Sequence, residues 1–177
     1  MSHTGHEPDS PSPNRWTAGA VVGDPGGMKI ATLLNGKGDS VVTTSPDDLV
    51  VTVLALLAEH RIGAVVATRD GSHIDGIVSE RDIVRAMAAD PDAGTTGGVR
   101  PRPVSSIMSA PVVTIDLDAD IDEAMSIMTD SRIRHLPVVD HEGLLVGLVS
   151  IGDVVKAKLS ALEDEKTALL DYVNRGG

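Results

Sequence analysis

Two short strings carry the residue types needed to recognise a phosphorylated sugar. Ser79-Glu80-Arg81-Asp82 and Ser150-Ile151-Gly152-Asp153 each follow a glycine and two apolar residues, and each sets a hydroxyl three positions ahead of a carboxylate. Where a strand ends in such a serine and turns into a helix, a hydroxyl, backbone N–H groups and a carboxylate meet at one point. The carboxylate oxygens are spaced to accept both hydroxyls of a ribose diol, and a helix N-terminus favours the adjoining phosphate. A nucleoside phosphate suits such a corner. The same spacing also makes a capping box, in which serine and aspartate satisfy backbone donors and do nothing more. Both readings stand on the residues alone.

Other constellations are poorer in chemistry. The serines have no matching His–Asp arrangement, and no general base suited to neutral pH stands out, so acid–base or covalent catalysis is not expected. Asn35-Gly36-Lys37-Gly38-Asp39-Ser40 lacks the spacing of a nucleotide-binding P-loop and reads as an exposed loop, though it brings Lys37 toward the first cleft. Asp140-His141-Glu142 occupies a hairpin turn and is expected to converge with no other ligand, so no metal is assigned. His3 and His6 lie in a Pro- and Ser-rich tail.

The two Ser-x-x-Asp corners belong to a longer repeat. Gly76, Ser79 and Asp82 match Gly147, Ser150 and Asp153, and the same ungapped offset pairs Val42-Thr43 with Val113-Thr114, Asp47 with Asp118, and Arg61-Ile62 with Arg132-Ile133. One register held this long marks an internal duplication. Each copy opens with a short extended segment, Val41-Val42-Thr43 or Val112-Val113-Thr114. A helix follows, with Val50, Val53, Leu54 and Leu57, or Ile121, Ala124, Met125 and Met128, at helical spacing. Asp118 and Asp120 are good residues for the start of the second of these. Two strands then flank an acidic or glycine-bearing turn: Gly63 to Thr68 with Ile74 to Ser79, and Leu136 to Val139 with Leu144 to Ser150. A second helix runs from Arg81 or Gly152. Strand, helix, strand, strand, helix is the unit, twice.

The boundaries follow from composition. Residues 1–27 read as a disordered tail, 28–89 as the first unit, 90–103 as a linker rich in Gly, Pro and Thr, and 104–159 as the second unit. Short helical lead-ins precede each copy at Lys29 to Leu34 and Val104 to Met108. Residues 160–177, with Leu162, Leu169, Leu170 and Val173 among charges, read as a C-terminal helix, at a possible subunit contact.

Composition sets outer limits. The 177 residues are 41% hydrophobic and 23% charged, which is globular, with a formal net charge of −11. With no Phe, one Tyr and one Trp, the chain has no aromatic platform for stacking bases, and its charge opposes nucleic acid, which is therefore not an expected partner. No apolar run reaches the ~20 residues of a membrane span, so no membrane association is expected. The absence of cysteine removes disulfides and thiolate sites and fits a reducing cytoplasm, the expected location.

The duplicated unit resembles the cystathionine β-synthase (CBS) domain, here as a tandem pair or Bateman module, over roughly residues 29–159. Ser79-Glu80-Arg81-Asp82-Ile83-Val84-Arg85 and Arg132-Ile133-Arg134-His135-Leu136-Pro137-Val138-Val139 are similar to strings of stand-alone CBS-pair proteins. The resemblance implies an α+β fold of two β-α-β-β-α units packed pseudo-symmetrically through their sheets, and two pairs meeting as a flat homodimer. It implies a regulatory, non-catalytic module needing no cofactor. Its ligand would be AMP, ADP, ATP, NAD or S-adenosylmethionine, and its output would pass to a separate, unidentified protein partner. By the family's pattern Ser79, Asp82, Ser150 and Asp153 hold ribose and phosphate. Val42, Thr43, Ala64 and Val65, and Val113, Thr114, Leu136 and Pro137, border the adenine, often through backbone groups. Arg134 and His135 meet phosphate. The first copy has Gly63 and Ala64 there and carries Arg81 inside its own corner instead, so Arg81, Arg134 and His135 would converge on one polyphosphate or serve two unequal clefts.

Overall fold

The computed structural model describes residues 27–36, 41–90 and 101–175. The N-terminal tail, Lys37 and most of the interdomain linker lie outside the described residues. A short helix α1 (Ile30–Asn35) precedes the first unit, which is β1 (Thr43–Thr44), α2 (Val50–His60), β2 (Ala64–Ala67), β3 (Gly76–Ser79) and α3 (Glu80–Ala88). A single 3-10 turn at Val104–Ser106 precedes the second: β4 (Ile115–Asp116), α4 (Ile121–Asp130), β5 (His135–Val139), β6 (Leu145–Ser150) and α5 (Ile151–Arg175). The fold is α+β, with one three-stranded sheet per unit. In each sheet the first strand runs parallel to the second and the second antiparallel to the third. Thr43 pairs with Val66, and Ile115 with Val138, at the same separation along the chain.

The helical stripes read from the sequence are the cores. Val50, Val53 and Leu57 of α2 pack with Val65, Ala67, Val78 and Ile83, while Ile121, Ala124 and Met128 of α4 pack with Leu136, Val138, Val149 and Val154. Arg61 and Arg132, matched by the repeat, explain where α2 and α4 stop. Both take the left-handed conformation, at φ 53° and 54°. That bend lets the Ile62 and Ile133 N–H groups close back onto the carbonyls of Leu57 and Met128 at 3.1 and 3.0 Å.

The lead-in segments are exchanged between units. Ile30 is fully buried in the second unit's core, and Val104 in the first unit's. Ile30 and Ala31 donate to the carbonyls of Ala119 and Leu117, and Val104 and Ser105 to those of Asp48 and Pro46. In return the first N–H groups of α2 and α4, on Val50 and Ile121, donate to Arg102 and Met28 carbonyls at 3.0 Å each. Neither helix has a side-chain cap; the exchanged backbone does that work. Asp120, suited by type to cap α4, instead pairs with Lys29 at 2.9 Å.

The exchange also accounts for two repeat glycines. A Cβ on Gly76 would stand 2.5 Å from the Met108 sulfur, and one on Gly147 would overlap Leu34. Each incoming lead-in presses a side chain onto a strand that must be bare there.

The units meet through their sheets. All four β2 side chains are fully buried, so both faces of that strand are covered, Val65 and Ala67 by the first unit's own helices. Across the seam the Leu145 N–H donates to the Ser72 carbonyl at 2.8 Å. Asp70 closes the β2–β3 turn by accepting from the backbone N–H of His73 and then of Ser72, with the His73 ring beside it, which holds its carboxyl well below the ordinary carboxylate range. Asp48 is lowered in the same manner by the Ser45 N–H and then the Thr44 hydroxyl.

Candidate functional site

Both corners form as strand-to-helix turns. In the first, Asp82 Oδ2 accepts from the Ser79 N–H at 2.9 Å and from the Ser79 hydroxyl at 2.5 Å. The Ser79 side chain in turn receives the backbone N–H of Asp82, completing a capping box at the start of α3. The second corner repeats this: Asp153 Oδ2 accepts from the Ser150 N–H and hydroxyl at 2.8 and 2.7 Å, and the Asp153 N–H donates to Ser150 Oγ at 3.2 Å. Capping is therefore real at both. It occupies one carboxylate oxygen of Asp82, and Oδ1 of that residue makes no hydrogen bond among the described residues.

The first corner opens on a cleft between the units. Ser79, Arg81 and Asp82 line a cleft of about 400 Å3 whose opposite wall comes from the second unit, residues Ser131 to His135, with Ser109 and Pro111 to Val113 closing one side. Arg134 and His135 therefore share a cavity with Ser79, Arg81 and Asp82. Two residues not singled out by sequence join them, Arg85 and Arg132. Arg85 lies one helical turn beyond Arg81 on α3, a spacing that was visible in the sequence. Arg132 enters through its left-handed backbone, which also offers its carbonyl to the Arg81 guanidinium at 3.2 Å. Four arginines and a histidine thus face two carboxylates, Glu80 and Asp82, in a chain of net charge −11. Ile77, Pro111, Val112, Val113 and Ile133 supply an apolar wall.

The asymmetry between copies has a packing cause. The His135 ring lies against Gly63, where a Cβ would come within 3.0 Å of it. A bare Gly63 in one copy thus makes room for the histidine of the other.

The remaining sequence candidates sit elsewhere. Ala64, Val65, Leu136 and Pro137 are buried in β2 and β5, which leaves their backbone groups, and not their side chains, as the means of meeting a base. Val42 packs against the first core, and Thr43 pairs in β1. Thr114 is half-buried just before β4 and outside the cleft lining, although its neighbour Val113 lines it. Ser150 and Asp153 do not line this cleft either. The repeat counterparts of Ser109 to Val113 are residues 38–42, of which 38–40 lie outside the described residues, so the matching pocket at the second corner is not delimited.

One expectation needs correction. His141 does converge with other potential ligands: its ring nitrogens stand 3.8 Å from Asp116 and 3.4 Å from Asp118. The β5–β6 turn folds over the end of β4, a proximity that a local reading of Asp140-His141-Glu142 misses. All three groups are exposed.

No helix among the described residues is long and apolar enough to cross a membrane. A CBS domain sequence profile matches residues 38–89 and 104–160. The chain is 34% identical over 130 residues to an uncharacterised protein of Methanopyrus kandleri, covering 71% of this chain and 63% of that protein. Among solved structures, a CBS-domain containing protein from Agrobacterium tumefaciens is 40% identical, with a TM-score of 0.66 over 74% of this chain and 99% of the other. A CBS domain protein from Pyrobaculum aerophilum, solved in complex with AMP, is 30% identical, with a TM-score of 0.61 over 71% and 89%. Duplicated units, exchanged lead-ins and paired Ser-x-x-Asp corners thus come together with matches over both copies: the chain belongs to the CBS domain family, as a tandem pair.

Proposed function

We propose that this protein is a regulatory, non-catalytic module that binds an adenosine-bearing anion in the cleft between its two units, and that two copies associate as a homodimer. AMP, ADP, ATP and NAD are the ligands whose charge fits; S-adenosylmethionine, with its sulfonium, fits the arginine-lined end less well. The observation that carries the reading is the convergence of Ser79, Asp82, Arg81, Arg85, Arg132, Arg134 and His135 on one cleft of nucleotide size. In this reading Asp82 Oδ1 takes the ribose diol, the arginines take phosphate and the Val112–Val113 wall takes the base. AMP bound to the Pyrobaculum relative supports the adenosine moiety. The exposed apolar residues Val84 and Met87 on α3 and Val155 and Leu159 on α5 support association. Ligand acts by favouring one of two arrangements of the units, to the extent that it binds them unequally.

A second reading has its own observation: both corners make complete capping hydrogen bonds. As caps alone they would leave the protein indifferent to nucleotides. Calorimetric titration with AMP, ADP, ATP, NAD and S-adenosylmethionine separates the two. We expect saturable binding of an adenine nucleotide, weakened at least ~10-fold, or ~1.4 kcal/mol, by Arg134→Ala and by Asp82→Ala. Absence of binding across the panel, or variants that bind like the parent, would overturn the ligand reading in favour of the caps.

A further inference from the structure

From Val155 onward α5 leaves a row of large apolar side chains exposed along one face. Val155, Leu159, Leu162, Lys166, Leu169 and Val173 follow one another at alternating steps of four and three residues, the a/d spacing of a coiled coil. The five apolar members are 40%, 57%, 49%, 60% and 69% exposed, and every side chain from Leu162 to Asn174 is exposed. Leu162, Lys166, Leu169 and Val173 line one continuous groove with Glu165 and Leu170. The segment extends past residue 160, where the CBS match ends. A helix end of this length is marginal by itself in water, and leucines at this spacing are matched by an identical row.

We propose that residues 155–173 of α5 pair with the same residues of a second copy as a parallel, in-register two-stranded coiled coil. Charge selects both the occupant and the orientation. With Leu159, Lys166 and Val173 at the a positions and Leu162 and Leu169 at d, Glu165 falls at g, beside the Lys166 of a parallel second copy. Lys158, which also pairs with Asp122 at 2.7 Å, falls at g opposite Glu163 of the second copy. Each copy places one lysine in the seam, where it faces the same residue of the second copy; this costs stability but specifies register, since a slip of one heptad sets it against Leu159 or Val173. A full antiparallel overlap would place Glu163 on Glu163 and Glu165 on Glu165. This pairing deepens the homodimer proposed above and does not depend on which ligand is bound.

The native chain has no cysteine, so single-cysteine variants of the full-length protein report the pairing directly. Under mild oxidation Leu162→Cys and Leu169→Cys are expected to give disulfide-linked dimers, and Asp164→Cys, on the outer face, to give few. In light scattering the double variant Leu162→Glu/Leu169→Glu is expected to dissociate at least ~10-fold more readily, with its nucleotide affinity and far-ultraviolet circular dichroism otherwise those of the parent. A parent that is monomeric at all concentrations overturns both the dimer and the pairing. A dimer that survives the double glutamate substitution, or that cross-links at Asp164→Cys as readily as at Leu169→Cys, overturns the coiled coil and leaves a dimer formed through another face.

Discussion

Asp82 has two oxygens and two possible employments. Oδ2 accepts the N–H and hydroxyl of Ser79, the ordinary work of a capping carboxylate, and Oδ1 makes no hydrogen bond among the described residues. The two roles are separable by substitution. Asp82→Asn keeps an acceptor for the Ser79 N–H but replaces one oxygen with a donor and removes the charge. Chemical denaturation should therefore show a loss of no more than ~1 kcal/mol, while nucleotide affinity falls far more than that of a variant at an exposed residue away from the cleft. If affinity holds at the parent's value, diol recognition by this carboxylate is excluded. Serine and aspartate at this spacing were legible in the sequence. Their engagement with each other, and the sharing of the cleft with Arg85 and Arg132, were not, because both depend on how a strand end and a foreign loop are brought together.

Among the elements, the hairpins, helices and their cores follow the sequence closely. Val50, Val53 and Leu57 and their counterparts recur at helical period, and burial rewards that period wherever a sheet lies beneath. The hairpin strands shift by only a residue or two at their ends, whereas the second entry strand forms at Ile115–Asp116, beyond the Val112 to Thr114 read from the sequence. The exchange of lead-ins was not legible, since a six-residue helix carries no label for the unit it joins. Gly76 and Gly147 mark it in retrospect. We expect Gly76→Ala to destabilise the protein by about 2 kcal/mol in denaturant melts, as overpacking does, because the new methyl meets Met108 from its sulfur to its Cβ. In a double-mutant cycle with Met108→Ala the two changes should couple favourably. Strictly additive changes would mean that the exchanged segment does not press on that strand.

For the molecule as a whole, charge distribution matters more than net charge. A surplus of carboxylates repels an anionic ligand at distance, yet four arginines drawn from α3 and from the start of the second hairpin gather where such a ligand would sit. Nucleotide affinity should fall by at least ~3-fold as salt rises from about 50 to about 500 mM, whereas adenosine, which lacks phosphate, should bind with little change. Equal salt dependence for both would remove the phosphate from the arginine-lined end.

Local order was set by the sequence itself. The duplication, the hydrophobic periods and the paired corners are properties of neighbouring residues, and propensity with burial converts them into two similar units. Only the tertiary structure decided that the first corner faces a cationic wall from the second unit, which lead-in seats on which core, and that His141 lies beside Asp116 and Asp118. Those outcomes join residues tens of positions apart, and such proximity comes from how strands pair within a sheet and how the two units pack rather than from any period along the chain.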